Sequence, residues 1–398
     1  MADVNLDGFR AEAQGWLKDN FPVSLAHDAG AQQTAVMGLA KLSGDAQLWK
    51  ERMAAKGWGT PTWPKQYGGG GLSSAEARVL QQEMAKVGAF TPIGGMGVMM
   101  FGPTLLEYGS EEQKQKYIPD ICAGRIRWCQ GFSEPGAGSD LASLSTRAED
   151  KGDHFLVNGQ KIWTSGGQFA DMIFCLVRTD TTRKHEGISF VVFDMHQPGV
   201  EVRPIKLIAG HSPFCETFFT DVKVPKENLI GPLNGGWAIA KRLLQHERSN
   251  MGGRQNGGGR AERVPLGVVA KKYVGEDEQG RLADSDLRTR ITMNEIDERA
   301  IQQTVARAAT EARNNSGPSA VTSVMKNANM KMLQEKAELT LEFMGYQGLG
   351  WEGAGFTAEE IAAVRGWLGG KAFSIYGGSN EVQNNIISKR ILGLPEAS

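Results

Sequence analysis

Apolar residues recur at the spacing of amphipathic helices over about the first 125 residues of the chain. In segment 45–56, for example, we expect Leu48, Trp49 and Met53 to share one buried face. The pattern therefore predicts an N-terminal helical domain over residues 1–125.

Short runs rich in β-branched and aromatic residues replace this pattern between residues 126 and 235. The pair Asn158–Gly159 is typical of a turn between strands. No long helical segment interrupts the region, which favours an antiparallel β domain over βαβ units. The runs occupy residues 154–157, 172–177, 188–193 and 200–203.

Helix-forming sequence returns over residues 236–398, most clearly in 300–313 and 324–343. The order helix, sheet, helix predicts the α+β class with three domains. Their expected bounds are 1–125, 126–235 and 236–398.

Charge and cysteine content exclude several classes of function. The chain carries 44 basic and 45 acidic residues, a net charge of −1, so nucleic acid is not an expected partner. The four cysteines form no Cys-x-x-Cys pair, and no metal site is expected.

One uncharged stretch, residues 87–106, is about as long as a membrane span. It is rich in Gly and contains two prolines, so we expect a buried helix and pocket wall and no membrane span. The acidic N-terminus lacks the apolar core of a signal peptide, and a cytoplasmic location is expected.

The chemistry is concentrated in three segments: Phe132–Asp140, Gly159–Gly166 and Ile375–Glu381. Taken alone, the first is either a weak anion-binding loop or a tight turn, because it lacks the lysine of a phosphate-binding loop. In order along the chain, however, the three segments resemble the acyl-CoA dehydrogenase family of flavoenzymes. Further matching segments are Tyr108–Lys114, Gly235–Trp237 and Ile386–Gly393.

The resemblance implies FAD, bound between the β domain and a C-terminal four-helix bundle. It also implies an acyl-CoA substrate. Substrate contacts are implied for Ser139 and Arg248. Ser139 would lie near the flavin phosphates and CoA. Met99 is expected to line the pocket. The implied cofactor-binding residues are Gln130, Phe132, Ser133, Ser139, Trp163, Thr164, Ser165, Gly378, Ser379 and Glu381.

Gly377 stands where many members of the family carry the glutamate that removes the α-proton. Its backbone N–H can still polarise the thioester carbonyl, but it has no carboxylate to act as base. The best replacement is Glu247, because Glu247-Arg248 resembles a pair that supplies the base in other members. His246 and Glu216 are weaker candidates.

The chain is most similar to a bacterial subgroup that resembles pimeloyl-CoA dehydrogenase large subunits. It lacks the family's Arg-x-x-Phe-Gly segment after Lys271–Tyr273. The resemblance implies oxidation of an acyl-CoA to a trans-2-enoyl-CoA, with electrons passed to an electron-transfer flavoprotein. A homotetramer or dimer is expected, and a hetero-oligomer is possible. The alternatives are an acyl-CoA oxidase, a desulfinase and a catalytically silent flavin-binding subunit.

Overall fold

The computed structural model describes residues 5–37, 42–253, 264–314 and 321–395. These residues fall into two compact units, one built from 1–205 with 213–261 and the other from 206–212 with 262–398. The order of helical, sheet and helical regions confirms the predicted α+β class. The three domain bounds remain predictions.

Six α-helices precede the sheet in the described part of the first unit. They are α1 (Leu6–Asn20), α2 (Ala29–Met37), α3 (Gly44–Ala55), α4 (Ser74–Lys86), α5 (Gly102–Tyr108) and α6 (Glu111–Cys122), with a π-helical turn at Gly97–Phe101 before α5.

The apolar face of α3 differs from the predicted one. Trp49 and Met53 are fully buried, as expected for positions four residues apart on one helix face. Leu48 is 39% exposed, so its predicted place on that face is wrong. The reason is geometric, because adjacent residues on a helix point about 100° apart.

A buried carboxylate ties α1 to α4. Glu83 accepts hydrogen bonds from Gln14 (2.9 Å) and Lys86 (2.8 Å) and pairs with Arg10. Burial on its own raises the Glu83 pKa, but the hydrogen bonds from Lys86, Gln14 and Arg10 outweigh it and hold the pKa at about 2. The helix pair therefore depends on an ionised side chain as well as on apolar packing.

Seven strands form one sheet in the described residues. The strands are β1 (Trp128–Gly131), β2 (Arg147–Asp150), β3 (His154–Ser165), β4 (Met172–Arg178), β5 (Ile188–Asp194), β6 (Val200–Ile205) and β7 (Phe214–Pro225). Their order is β1-β4-β2-β3-β7-β6, with β5 also paired to β4. The long pairings are antiparallel, as predicted, except that β1 runs parallel to β4.

Asn158 and Gly159 lie inside β3, so the predicted turn is wrong. The pairing of β3 with β7 shifts register between Val157 and Gly159. A β-carbon at Gly159 would stand 2.6 Å from the Thr146 hydroxyl oxygen, which leaves room only for glycine. The pair marks a bulge in a continuous strand, a feature that shares its residue preferences with turns.

Stacked aromatic rings join the π-helical turn to the sheet. The Phe101 ring lies 5.6 Å from that of Phe174, nearly parallel to it, and Phe174 stacks on Phe190 at 6.0 Å. All three residues are completely buried. Helix α7 (Gly236–Gly253) also packs against β5 and α5 within this unit.

The second unit is helical, as predicted. Its described helices are α8 (Leu266–Val274), α9 (Ser285–Asn314), α10 (Val321–Met344), α11 (Ala358–Gly370) and α12 (Asn380–Ile386). Helix α10 is central and packs against the other four. No helix among the described residues is long and apolar enough to cross a membrane.

The Glu83 contacts lead to a first prediction. Because the Glu83 pKa is depressed to about 2, the carboxylate stabilises the fold above its unfolded-state pKa of about 4.3, and this contribution is lost as the pH falls towards 2. Glu83→Gln should therefore weaken the docking of α1 by about 1.5–3 kcal/mol at pH 7. The difference from wild type should shrink steadily below about pH 4.

Hydrogen exchange of the α1 amides measures this docking energy. Glu12→Gln is the matched control, since Glu12 is a carboxylate of α1 itself but forms an exposed pair with Lys56. The control substitution should weaken the docking of α1 by less than about 1 kcal/mol. Equal losses of protection in the two variants would contradict the role given to Glu83.

Candidate active site

The structure brings two of the predicted segments side by side. Gln130–Ser133 lies at the end of β1, and Trp163–Ser165 ends β3. The backbone N–H of Ile162 donates to the carbonyl oxygen of Ser133 at 2.9 Å. The sheet topology therefore places residues some 30 positions apart in sequence against each other.

Phe132 anchors the first segment in the apolar core. Its ring is buried and meets Phe174 and Phe190 edge-on, with centroids 5.9 and 6.1 Å away. Gln130 is half-buried within β1. The segment is thus fixed to the aromatic stack, and its Ser133 end is left half-buried.

Trp163 is the most unusual residue of the second segment. Its ring is 52% exposed, and its backbone takes φ +61°, a conformation that costs a bulky residue free energy. It sits where the register of β3 against β7 shifts between Lys161 and Thr164. Phe214 of β7 meets the ring edge-on at 6.1 Å. A strained bulge that presents a broad aromatic face offers a surface for a planar ligand.

The next residue has an unsatisfied polar group. Thr164 is fully buried, and its hydroxyl has no hydrogen-bond partner among the described residues. A buried hydroxyl without a partner is costly, which favours a ligand that supplies one. The exposed ring of Trp163 and the unpaired hydroxyl of Thr164 together fit a flavin, which has a π-face and a polar edge.

A buried ion pair holds the two segments together. Lys161 is completely buried, and its ammonium donates to Glu134 at 2.7 Å and to the Phe132 carbonyl at 3.2 Å. Glu134, 5% exposed, also accepts from the backbone N–H groups of Ser145 (2.6 Å) and Thr146 (2.8 Å). One carboxylate thus links the ends of β1 and β3 to the start of β2.

Burial alone raises the pKa of Glu134, but the Lys161 charge and the hydrogen bonds from Thr146 and Ser145 hold it at about 2. Sequence reasoning missed this role, because it read Glu134 only as part of a glycine-rich loop. The available signal was a single charge in each of two otherwise uncharged stretches. The charge is negative in Phe132–Ser139 and positive in Gly159–Gly166.

A cavity of about 620 Å³ opens beside the second segment in the first unit. Ser165 and Gly166 form part of its wall, and Met99 also lines it. A cavity of this size is in the range of small-molecule sites.

Ser139 lies apart from these groups, on an exposed loop that follows the short bridge between Glu134 and Ala137. Its neighbour Asp140 pairs with Lys184 at 2.9 Å. The loop is therefore accessible, as a contact with a large ligand such as CoA would require.

The remaining predicted cofactor residues lie in the second unit. Gly377 and Gly378 both have positive φ, at +67° and +92°. The Gly377 carbonyl accepts from Gln383 at 2.9 Å, and the Ser379 hydroxyl caps α12. Glu381 lies in the first turn of α12, where its backbone hydrogen bond and the Ser379 hydroxyl lower its pKa.

The predicted base lies on α7, but its side chain is outside the described residues. The same holds for Arg248 and His246. Glu216, the weaker candidate on β7, accepts a hydrogen bond from Gln160 at 3.0 Å. The assignment of the base to Glu247 therefore remains a prediction.

Among the described residues no group of three or more His, Cys, Asp or Glu side chains could hold a metal ion. The four cysteines are buried and unpaired.

Three family models match the chain. They describe the N-terminal, middle and C-terminal domains of acyl-CoA dehydrogenases and cover residues 26–125, 129–222 and 234–392. The chain is 33% identical to the acyl-CoA dehydrogenase IpdE1 of Mycobacterium tuberculosis over 99% of both chains. It is 34% identical to IpdE1 of Mycolicibacterium smegmatis over 98% of both.

Solved structures agree with this match. The Tcur3481-Tcur3483 steroid acyl-CoA dehydrogenase superposes with a TM-score of 0.73 at 30% identity, covering 98% of each chain. The ChsE4-ChsE5 complex from Mycobacterium tuberculosis gives 0.72 at 28% identity, covering 100% of this chain and 99% of the other.

The buried ion pair leads to a second prediction. Lys161→Met should destabilise the paired ends of β1 and β3 by about 3–5 kcal/mol, because it leaves the Glu134 charge buried without its partner. Hydrogen exchange of the amides in these two strands reports the loss. Lys151→Met is the control, since its pair with Glu149 is exposed, and it should cost under about 1 kcal/mol. A Lys161→Met loss no larger than the control's would refute the role of the pair.

Proposed function

Because the chain belongs to the acyl-CoA dehydrogenase family, we propose that it oxidises the Cα–Cβ bond of a particular acyl-CoA to a trans-2-enoyl-CoA with FAD as cofactor. The observation that carries the proposal is the exposed, strained Trp163 beside the unpaired Thr164 hydroxyl. The adjoining cavity offers space for an acyl group.

The chain's part in cofactor binding follows from the two adjoining segments. The Trp163 ring offers a face for the isoalloxazine, while the hydroxyls of Thr164 and Ser165 offer hydrogen bonds to its edge. FAD, when bound, accepts the hydride that leaves Cβ. The other residues proposed to contact the cofactor are Gln130, Phe132, Ser133, Ser139, Gly378, Ser379 and Glu381.

Removal of the α-proton needs a base within hydrogen-bond reach of Cα. We assign it to Glu247, with Arg248 as a substrate contact, on the family pattern and on the absence of a side chain at Gly377. A carboxylate in this role works best when partial burial raises its pKa towards the working pH. The Gly377 backbone N–H would hold the thioester carbonyl and stabilise negative charge on its oxygen.

The proposed electron acceptor is an electron-transfer flavoprotein. The proposed assembly includes a second, related subunit, because the two similar solved enzymes are each named as a pair of proteins. A homotetramer or homodimer is the alternative. The size of the acyl group is proposed to be large, in line with the cavity volume and with the steroid enzyme among the structural neighbours.

A second candidate function is a flavin-binding subunit that supports an active partner without catalysis of its own. The glycine at position 377 favours it, because many family members carry the base there. The two-protein assemblies among the neighbours also suit this function.

Anaerobic titration of the purified yellow protein with a panel of acyl-CoAs tests these alternatives. The proposed function predicts loss of the oxidised flavin absorbance with at least one thioester and slow reoxidation by air. Rapid reoxidation by air would show an oxidase. No bleaching with any thioester by the chain alone, together with bleaching once its co-purifying subunit is present, would favour the silent subunit.

Glu247→Gln should slow flavin reduction by about 10²–10⁴-fold, the usual contribution of a positioned general base. The change keeps the size of the side chain and removes only the carboxylate, so FAD content should stay at the wild-type level. Stopped-flow absorbance under anaerobic conditions measures the rate. Glu216→Gln, which removes the carboxylate of the weaker candidate, should leave the rate nearly unchanged. Wild-type reduction by Glu247→Gln would eliminate Glu247 as the base.

A further inference from the structure

Two consecutive glycines, Gly377 and Gly378, form the turn that is proposed to hold the thioester carbonyl. Both take positive φ, at +67° and +92°. Glycine changes its backbone conformation at little cost, so a turn of two glycines does not keep one conformation by itself. The Gly377 N–H can stabilise charge on the thioester oxygen only if it already points at that oxygen when the reaction occurs. Contacts from outside the turn must therefore fix its direction.

Gln383 supplies such a contact from α12. Its side chain is 2% exposed, and its amide nitrogen donates to the Gly377 carbonyl at 2.9 Å. The amide also fills the space beside Gly378, since a β-carbon there would lie 2.5 Å from the same nitrogen. On the other side of the turn, the Tyr376 N–H donates to the Ala372 carbonyl at 3.1 Å. The Gly377 N–H belongs to the peptide group between these two fixed peptide groups.

Helix α12 is itself fixed to α10. The Asn327 side chain of α10 donates to the Asn384 side chain at 2.8 Å and to the Asn380 carbonyl at 3.5 Å. The two helices also pack against each other. The Gly377 carbonyl is thus connected through Gln383 to the central helix of the second unit.

Stability alone does not explain a glutamine at position 383. Its amide oxygen is buried and has no hydrogen-bond partner among the described residues. An unpaired buried oxygen costs free energy, and an apolar side chain of the same length avoids that cost. Gly377 is an exposed residue, where water can replace the donor that its carbonyl would lose. The glutamine is therefore better explained by its effect on the turn.

We propose that Gln383 is a positioning residue for the reaction, which fixes the turn so that the Gly377 N–H is directed at the thioester oxygen. The proposal rests on the proposed function, because it takes this N–H as the group that stabilises negative charge on that oxygen. Gln383 acts through Gly377 and transfers no proton.

Gln383→Met tests this role in the FAD-loaded protein, purified with any subunit that accompanies it. The first readout is flavin reduction in stopped flow, with the acyl-CoA that reduces the wild type fastest. The second uses the 3-thia analogue of that acyl-CoA in deuterium oxide. Its β-position is sulfur, so no hydride leaves, while the α-proton passes to the base and is replaced by a deuteron from solvent. Mass spectrometry of the analogue gives the exchange rate.

Both rates should fall about 10- to 100-fold in Gln383→Met, because the N–H donor is misdirected but still present, and its complete loss costs about 10²–10³-fold. The dissociation constant of the 3-thia analogue, measured by calorimetry, should change less than about threefold, because the loss falls on the transition state. The melting temperature should stay close to that of the wild type, since the variant also removes the unpaired oxygen.

Gln334→Met is the matched control. Gln334 lies on α10 of the same unit, and its amide nitrogen likewise donates to a backbone carbonyl, that of Gly370 at 2.8 Å. This variant should keep both wild-type rates. Gln383→Asn keeps the amide but is one methylene shorter, so it should lose the contact with Gly377 and show the slower rates of Gln383→Met. It decides the question if the methionine variant does not fold.

Five results would overturn the proposal while leaving the proposed function intact. They are wild-type rates in either folded Gln383 variant, an equal loss of rate in Gln334→Met, slower flavin reduction with unchanged exchange of the α-proton, a loss found wholly in the dissociation constant, and inability of both Gln383 variants to fold, which would give the residue a structural role. A wild-type protein that neither reduces its flavin nor exchanges the α-proton with any thioester would overturn the proposed function and this proposal with it.

Discussion

The pair between Glu134 and Lys161 is the interaction on which the candidate active site depends. Two opposite charges in a nearly water-free environment are stable only when their hydrogen bonds are complete. Here the Phe132 carbonyl and the N–H groups of Ser145 and Thr146 complete them. The carboxylate can therefore keep its charge, and three separate parts of the chain are held at one point.

This arrangement explains how the protein tolerates the conformation of Trp163. A bulky residue at φ +61° costs about 1–3 kcal/mol and persists only where its surroundings fix it. On one side Lys161 is fixed by the ion pair, and Ile162 donates to Ser133. On the other side the chain resumes its pairing with β7 at Thr164. The bulge between these fixed points leaves the indole ring no place in the core, so its face stays accessible.

Sequence reasoning predicted the helical regions and four strand-forming runs, because each has a clear local period. It missed β1, β2 and β7. Strands β1 and β2 have only four residues each, too few to show a period, and the buried side of β7 includes the polar Thr217 beside Cys215. The Asn158–Gly159 error has a related cause, since a bulge and a turn use the same residue types for the same conformational reason.

The residues of the site were predicted more from the resemblance to a known family than from the chemistry and spacing of the residues themselves. The motifs gave the segments around Phe132 and Trp163, and the structure brings these two together. The positive φ of Trp163 could not be predicted, because it depends on the register of β3 against β7. The cationic part of the cavity wall, which includes Lys50 and Arg127, could not be predicted either, since these two residues are 77 positions apart in the sequence. They line the same cavity only because α3 packs beside the start of β1.

The affinity of the protein for FAD in the Lys161→Met variant tests the central claim most directly. If the buried pair holds the proposed flavin-binding segments in place, the variant should bind FAD at least tenfold more weakly than wild type, at a temperature where both are folded. Its flavin circular dichroism should also change, since the surroundings of the ring differ. Wild-type affinity together with an unchanged flavin spectrum would show that the two segments keep their positions without the pair, and would contradict this account.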